Sequence, residues 1–339
     1  MSGISPRIPG LEAARWAPSA HNTQPWLFRR DGTAVTVGWN QHRELPAGDP
    51  DSRYLFTGLG AAVGSLVLGA AEEGLSTNVQ FHHQFSAEAV ATIVYEQSIA
   101  SGDGHTLAAA IPHRRTTRLP FRKDPVPTAT LQILCRGAAT VGLDLAILTE
   151  PRQIKAAARA IADGTALNLE NSAVYREFYG WLRLTTDHPG YSIDGLNLEC
   201  LSLSKSYARL APYVMPPERI RWLCRVGAHR LVARSVGTLA AQSPVLCLLI
   251  AQGHAARDLF AGGRAMMRVW LRATDLGLRL HPVTAAMDHA ETRAALADAF
   301  GVPADASMVV CFRLGYGPQS ARSPRLPAHA VLAGRTENS

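Results

Sequence analysis

Residues 17–26 read Ala-Pro-Ser-Ala-His-Asn-Thr-Gln-Pro-Trp, and they interrupt a helical pattern that begins a few residues earlier. Pro18 is poorly tolerated inside a helix, and a proline also pushes the residue before it towards extended geometry. Residues 19–24 therefore form a constrained turn between two prolines, dense in uncharged hydrogen-bonding side chains. Such a turn suits a flat polar heterocycle. An ordinary polar connection between a helix and a strand is the alternative that this stretch alone leaves open.

The chain also carries an internal repeat built on two apolar helices, which the pattern predicts at 55–75 and 257–278. A series of Gly, Ala and Leu positions that starts at Gly60 recurs from Gly263, with every match displaced by 203 positions. Small residues allow another helix to approach closely, so we expect the first helix to be central. A predicted strand follows each helix, which indicates two related halves.

The remaining pattern predicts helices and strands with one irregular excursion. Strands are predicted at 27–30, 34–39, 89–96, 143–148, 244–251 and 307–314, and a further helix at 128–139. A helical region at 151–183 is expected to break at Asp163-Gly164. The stretch from Thr185 to Pro217 is rich in helix-breaking residues, and long irregular segments of this kind are often lids or binding loops.

The composition describes a globular chain of 339 residues, long enough for two domains or one large one. Hydrophobic residues make up 47% and charged residues 18%, which indicates a substantial core. The net charge of +7 favours an anionic partner. Because the basic residues are spread along the chain, a phosphate-bearing small molecule is favoured over nucleic acid, which would be better supported by a basic stripe with interleaved aromatic residues. The many arginines could also reflect a GC-rich genome.

The five cysteines are far apart, and no pair has the spacing of a metal site or a redox motif. Free thiols are therefore expected, most of them buried. The N-terminus shows no charged-then-apolar signal pattern, and no apolar run approaches the ~18–20 residues that a membrane helix needs. We expect a soluble protein of the reducing cytoplasm, without a membrane partner.

Three alternative sites are disfavoured. Residues 58–64 resemble a dinucleotide fingerprint, but no strand pattern precedes them and no acidic residue follows at the required distance. Ser19 and His21 lack the flanking glycines of a nucleophile elbow, so a hydrolase is disfavoured. No His-Glu-x-x-His motif occurs, and no metal is expected.

Three stretches together resemble the nitroreductase-like flavoprotein family, and specifically its fused, Acg-like branch. They are residues 17–26, the run Arg-Arg-Thr-Thr-Arg-Leu-Pro-Phe at 114–121, and Arg-Leu-Gly-Tyr-Gly-Pro at 313–318 with Pro324-Arg325 behind it. Their order and spacing cover most of the chain. The resemblance implies an α+β fold, with a mixed, mainly antiparallel sheet flanked by helices, and FMN bound without a covalent link.

The resemblance also assigns site residues, by their match to the family motifs. In the family, an Arg-x-Ser-x-Arg/Lys stretch grips the FMN phosphate, and a Pro-Ser-x-x-Asn loop meets the ring and the ribityl chain. Here the ring loop corresponds to Pro18, Ser19, Asn22 and Gln24, and the phosphate motif to Arg114, Arg115, Thr116 and Arg118. Arginine engages phosphate oxygens in pairs, and Arg322 or Arg325 is expected to add positive charge. The backbone N–H groups of Val283 and Thr284 are expected to face the flavin N5 region.

The two motifs lie in different halves, which implies a fused pseudo-dimer. The opening of the first half lacks the phosphate motif, and residues 134–139 stand where the second half would carry a ring loop. We therefore expect one complete FMN site and one eroded site. The expected division is a first half at 1–110, a second half at 111–330 with a lid-like insertion at about 170–235, and a tail at 331–339.

Three functions remain open at this stage. The first is an FMN-dependent NAD(P)H oxidoreductase acting on a nitroaromatic, quinone or other conjugated substrate by ping-pong hydride transfer, or catalysing a pathway-specific oxidation. No acid–base side chain is indicated, which fits hydride transfer. The second is a non-catalytic protein that sequesters FMN under a closed lid. The third, nucleic-acid binding, rests only on charge. The pseudo-dimer is expected to be monomeric or weakly dimeric.

Overall fold

The computed structural model describes residues 7–96, 104–303 and 306–334. The helices are α1 Leu11–Arg15, α2 Arg53–Glu72, α3 Gly104–Ala110, α4 Thr128–Ala139, α5 Pro151–Glu170, α6 Ser172–Gly180, α7 Leu198–Leu201, α8 Lys205–Val214, α9 Pro217–Arg225, α10 His229–Ala241, α11 Ala256–Asp275 and α12 Ala290–Phe300. The strands are β1 Trp26–Asp31, β2 Ala34–Trp39, β3 Ser76–Ser86, β4 Ala89–Glu96, β5 Asp144–Leu148, β6 Leu182–Arg183, β7 Leu196–Asn197, β8 Val245–Ala251, β9 Arg279–Pro282 and β10 Ser307–Gly315.

Two antiparallel sheets of four strands form the framework, one in each part of the chain. The first has the order β1-β2-β4-β3 and the second the order β5-β8-β10-β9. The two orders are the same when β1, β2, β3 and β4 are matched with β5, β8, β9 and β10. In both sheets the second and third strands of the chain order are joined through a long helix, α2 or α11. The predicted α+β fold with mainly antiparallel sheets is confirmed.

The helices α2 and α11 pack directly against each other at the centre of the molecule. A Cβ atom at Gly60 would overlap the carbonyl oxygen of Phe260, and a Cβ at Gly263 would overlap the carbonyl oxygen of Thr57. The contact is reciprocal, since Thr57 and Phe260 are separated by the same 203 positions as the two glycines. The sequence expectation of a central, close-packed first helix is confirmed.

The expectation that no apolar run reaches membrane-spanning length is wrong for α2. This helix of 20 residues is long and apolar enough by composition, with a mean hydropathy of 1.6 in its most apolar window. However, 89% of that window is buried inside the protein. Such a helix is typical of a protein core, and the burial against α11 explains why its sequence is apolar on all sides.

Two local predictions fail for physical reasons. The predicted break at Asp163-Gly164 does not occur, because α5 continues to Glu170 and Gly164 instead gives the backbone of Ala285 room to approach. The strand β3 was not predicted, because most of its side chains are polar and the strand is largely exposed at an edge of the first sheet. All five cysteines are free, as expected.

The connection between β5 and β8 contains α5 to α10 and the short β6–β7 sheet, and we call residues 172–241 the insertion. Phe178 of the insertion contacts His21 of the first half, with their ring centroids 5.0 Å apart. The C-terminal segment also returns to the first half, where Leu332 bridges to Phe28 of β1. Residues 331–334, assigned to a tail by the sequence pattern, thus lie against the first sheet, and 335–339 lie outside the described residues.

Candidate functional site

The loop from Ser19 to Gln24 has an unusual backbone. His21, Asn22 and Gln24 all adopt positive φ angles, of 48°, 58° and 52°. Residues other than glycine rarely adopt this conformation, which costs on the order of 1–3 kcal/mol each and is concentrated at functional sites. The Ser19 hydroxyl accepts a hydrogen bond from the Gln24 N–H at 2.9 Å, which closes the turn. Pro18 and Ser19 pack against Gly58 of α2.

The buried Asn22 side chain links three distant parts of the chain. Its Oδ1 accepts a hydrogen bond from Arg325 Nη1 at 2.8 Å. Its Nδ2 donates to the carbonyl oxygens of Gly195 and Pro324, both at 3.0 Å. Asn22 therefore joins the loop to the insertion and to the C-terminal segment.

Gln24 has a parallel role on the other side of the loop. Its Oε1 accepts from the Leu326 N–H at 2.8 Å, and its Nε2 donates to the Ile193 carbonyl at 3.1 Å. Both amides predicted to meet a ring are thus used to hold neighbouring segments in place. Their assignment as ring contacts stays a prediction.

Arg114 is buried and incompletely paired. It is 6% exposed, its Nη2 donates to the Trp16 carbonyl at 3.0 Å, and its guanidinium lies 4.5 Å from the centre of the Trp270 ring. Within the described chain, its Nε and Nη1 atoms have no hydrogen-bond partner, and neither does Nε of Arg325. Buried polar groups without partners are rare in proteins and need an explanation.

Arg114, Arg115, Arg322 and Arg325 form a group that we call the arginine cluster. Burial, followed by the charges of its neighbours, holds the pKa of Arg114 well below its usual range. Burial and then Arg322 lower the pKa of Arg325 to about 9, and burial and then Arg115 lower the pKa of Arg322 to about 10. Among the described residues, no carboxylate forms an ion pair with any member.

The cluster therefore has the chemistry of an anion site. Several buried or half-buried guanidinium groups repel one another and retain unused N–H donors, which a dianionic phosphate would satisfy in pairs. The residues present thus fit the phosphate end of FMN. Trp16 contributes the carbonyl bound by Arg114, and its ring lies 3.0 Å from the Arg322 guanidinium carbon.

The segment after Arg114 leads from the arginine cluster towards the loop. Thr116 pairs with Leu280 of β9, and Arg118 Nη1 donates to the Cys200 carbonyl at 2.7 Å. Burial, with a smaller contribution from Arg118, lowers the pKa of His21 from 6.5 to about 4. The two sequence motifs, about a hundred positions apart in the chain, therefore lie close together in the fold, and their joint role in one FMN site stays a prediction.

The backbone N–H of Val283, which was expected to face the flavin N5 region, is already used in a hydrogen bond. The Val283 N–H donates to the Cys311 carbonyl at 2.8 Å, so it is used within the sheet. Its side chain is also buried in the second core. Thr284 starts a short 3-10 turn next to it, and its carbonyl accepts from the Tyr54 hydroxyl at 3.4 Å.

A chain of polar side chains beside Thr284 was missed by sequence reasoning. The Tyr54 hydroxyl donates to Asp288, whose other oxygen accepts from Asn168 Nδ2 at 2.7 Å. The side-chain oxygen Oδ1 of Asn168 lies 2.8 Å from His289 Nε2. Burial raises the pKa of Asp288, and burial and then the Asp288 charge raise the pKa of Tyr54. No motif marks this chain, because its members come from α2, α5 and the turn before α12.

The insertion is closed over the loop by charged contacts. The buried Asp194 accepts from Arg183 Nη2 at 2.8 Å, and its second oxygen lies 3.1 Å from Arg43 Nη2 of the first half. The Glu177 carboxylate accepts the N–H groups of Ala47 and Gly48, at 2.9 and 2.7 Å. These bonds anchor the insertion to residues 43–48 of the first half.

No family model matches the chain. Two curated proteins of Mycobacterium tuberculosis are similar to it along most of its length. "Putative NAD(P)H nitroreductase Rv3131" is 29% identical over 317 residues, covering 92% of this chain and 85% of the relative. "Putative NAD(P)H nitroreductase acg" is 28% identical over 337 residues, covering 97% of this chain and 95% of the relative.

Among solved structures, nitroreductase A from Vibrio parahaemolyticus superposes with a TM-score of 0.41 at 10% identity, covering 71% of this chain and 78% of that one. The relationship rests on the two sequence relatives, which the chain matches almost from end to end. The resemblance carried by the three sequence motifs is thus confirmed: the chain is a relative of the nitroreductase-like proteins of the Acg and Rv3131 kind.

Proposed function

We propose that the protein is an FMN-dependent oxidoreductase that takes reducing equivalents from NAD(P)H. The observation that carries this proposal is the arginine cluster, whose unused donors lie beside a strained loop of uncharged side chains. The names of the relatives support the same activity class.

The residues of the chain have distinct parts in this function. Arg114, Arg115, Arg322 and Arg325 would hold the phosphate, and Thr116 and Arg118 continue the motif towards the ring loop. The bound cofactor would supply the hydride chemistry, in ping-pong order. The second substrate would be a nitroaromatic, a quinone or another conjugated molecule. In the alternative direction, the enzyme would catalyse a pathway-specific oxidation. The closed insertion excludes water from the loop and limits the size of the acceptor.

A single complete site per chain is part of the proposal. The two sheets have equal strand orders, and the contact between α2 and α11 is reciprocal. Both features support a pseudo-dimer made by duplication, because in a two-fold symmetric dimer the same surface of each subunit forms the interface. Residues 134–139 lie inside α4 and form no loop, which supports an eroded second site. The division at about residue 110 follows from the same reasoning.

A second candidate, sequestration of FMN without turnover, is favoured by the closed insertion. Asn22 and Gln24 bind insertion carbonyls directly, and Asp194 is paired from both sides. If the insertion does not open, nicotinamide has no access to a bound ring.

Anaerobic addition of NADPH to the purified yellow protein separates the two candidates. Loss of the oxidised flavin absorbance on the timescale of turnover supports the oxidoreductase, and dithionite provides the control for a reducible flavin. A protein that is bleached by dithionite but stays yellow with NADPH and with NADH supports sequestration. A colourless protein that cannot be reconstituted with FMN contradicts both.

We also propose a cytoplasmic location. The five cysteines are all free, which is usual in a reducing compartment, and an NAD(P)H-dependent enzyme needs the intracellular nicotinamide pool.

A further inference from the structure

The insertion exposes an unusual amount of apolar surface. Of the twelve large hydrophobic side chains that are exposed in the described chain, nine lie between Leu203 and Val232. The most exposed of them are Tyr207, Leu210, Tyr213, Trp222, Val226 and Leu231. Single apolar residues are normal on a surface, but such a concentration marks an interaction site. We call the exposed side chains of residues 203–234 the basic-apolar face.

The same stretch carries strong positive charge. Lys205 and the six arginines from Arg209 to Arg234 are all exposed, and Glu218 is the only acidic residue in the range. None of the seven forms an ion pair with a described residue. The positive charge that looked dispersed along the sequence is thus concentrated on one part of the folded protein, where it is complementary to an anionic surface.

Two of the three helices that carry this face, α8 and α9, are only lightly packed. Ala211 is the only residue that α8 buries, and α9 buries none. Leu210 and Val214 are four positions apart, so they lie on the same side of α8 together with Tyr207. Short helices with exposed aromatic and aliphatic residues among lysine and arginine are typical of segments that lie in a membrane interface.

A surface cavity lies within the face. It has a volume of about 350 Å³ and is lined by Arg176 of α6 and by Pro217, Glu218, Arg221, Trp222 and Arg225 of α9, so that three arginines outnumber one carboxylate. Three guanidinium groups beside an exposed indole combine donors for a phosphodiester with an aromatic ring suited to the headgroup level.

We propose that the basic-apolar face docks the protein on the surface of an anionic lipid bilayer. A second copy of the chain would bring two strongly positive faces together, which charge repulsion opposes. Nucleic acid would match the arginines but would leave Leu210, Val226 and Leu231 without apolar partners. The proposal departs from the sequence expectation of no membrane partner, which rested on the absence of a signal pattern and of spanning helices. The inference does not depend on the proposed function, because lipid binding is measured without turnover.

The test is co-sedimentation of the full chain with vesicles of phosphatidylcholine alone and of phosphatidylcholine mixed with phosphatidylglycerol. Binding is expected only to the anionic vesicles, and it should weaken as salt is raised. The Arg221→Gln, Arg225→Gln double variant should bind roughly tenfold or more weakly, from the attraction of each basic residue to an anionic surface. The Trp222→Ser, Leu231→Ser double variant should also lose binding, because it removes inserted apolar area.

The matched control is the Arg152→Gln, Lys155→Gln double variant, which removes the same charge from exposed positions of α5 and should bind like the wild type. Thermal unfolding verifies that each variant is folded. Equal binding to both vesicle types, or an equal effect of the α5 variant, would overturn the proposal. So would a dimer in light scattering that Trp222→Ser abolishes. Binding to a short DNA duplex without binding to anionic vesicles would also overturn it.

Discussion

At the residue scale, the arginine cluster is the main support for the proposed function, because its charges are buried or half-buried without an acidic partner among the described residues. Arg114 donates to the carbonyl of Trp16 and lies over the ring of Trp270, and part of its guanidinium has no partner among the described residues. Burying a charge in this way costs several kcal/mol after relaxation. We attribute the retention of these buried charges to an anion that binds at the arginine cluster.

Replacing Arg114 with Met should therefore have opposite effects on the two forms of the protein. The flavin-free protein should be stabilised by about 1–3 kcal/mol, because an unpaired buried charge is removed. FMN binding should weaken by about 2–4 kcal/mol, because charge-assisted hydrogen bonds to phosphate are lost. Denaturant unfolding of the flavin-free form and a fluorescence titration with FMN measure the two quantities.

Arg122→Met is the control, because Arg122 is exposed and paired with Asp124. It should leave FMN affinity unchanged. A variant at Arg114 that keeps wild-type FMN affinity would show that the phosphate binds elsewhere.

His21 should give the protein a pH-dependent stability. Its pKa of about 4 in the folded protein lies below the usual 6.5, so the unfolded chain binds its proton first as the pH falls. The stability is fully present above about pH 6.5 and is lost progressively towards pH 4. Urea unfolding at several pH values should show a smaller loss for His21→Gln than for wild type.

The exposed His83 provides the control, since His83→Gln should retain the wild-type pH dependence. Identical slopes for wild type and His21→Gln would mean that His21 is not held neutral by the fold.

The residue scale is also where sequence reasoning was most uneven. The proximity of the loop at residues 19–24 to the motif that begins at Arg114 could be inferred, because each segment carries a recognisable motif. The Tyr54–Asp288–Asn168 chain could not, because its members are far apart and only the folded α2 and α5 bring them together. The Val283 N–H was misassigned because its sheet partner, Cys311, depends on the strand register.

At the scale of elements, the α2–α11 contact is the most demanding piece of packing. The close approach of another helix to α2 was predictable from its small residues, but the identity of that helix as α11 was not. The continuity of α5 was not, because only the fold shows that Gly164 accommodates the backbone of Ala285. A glycine in a helical pattern thus indicates either a helix break or a close contact with another element. Which of the two applies depends on whether another backbone packs against that glycine.

Adding a methyl group at either central glycine should destabilise the protein to a similar extent. Gly60→Ala and Gly263→Ala each place a Cβ against a carbonyl oxygen of the opposite helix, and overpacking of this kind costs about 1–3 kcal/mol or more. Gly137→Ala in α4 is the matched control, because its Cβ would meet open space and alanine favours helix by roughly 0.5–1 kcal/mol. Thermal unfolding measures all three, and a neutral effect at both central positions would contradict the packing.

The anchoring of the insertion is tested by Asp194→Asn. The change leaves Arg183 buried without its acidic partner and breaks the contact with Arg43. Removing one member of a buried ion pair typically costs about 3–5 kcal/mol. Hydrogen exchange should show faster opening of residues 182–201, while β8 and α11 keep their protection. Uniform loss of protection throughout the chain would show that the insertion is not a separate opening unit.

At the scale of the whole molecule, the site is assembled from parts that only the complete chain brings together. Asn22 from the first half, Arg114 from the start of the second, and Arg325 from the C-terminal segment meet beside the insertion. The α+β class and a mainly antiparallel sheet in each half could be predicted through the family resemblance that the motifs carry. The closure of the insertion and the basic-apolar face could not, because they depend on which helices the fold leaves lightly packed.

The proposal of one complete and one eroded site makes the FMN stoichiometry the most direct test. Flavin-free protein should be titrated with FMN in a calorimeter, with protein concentration fixed by amino-acid analysis. We predict saturation at one FMN per chain, with the enthalpy signal lost in Arg114→Met. Saturation at two FMN per chain would contradict the eroded second site, and no binding at all would contradict the account of the arginine cluster.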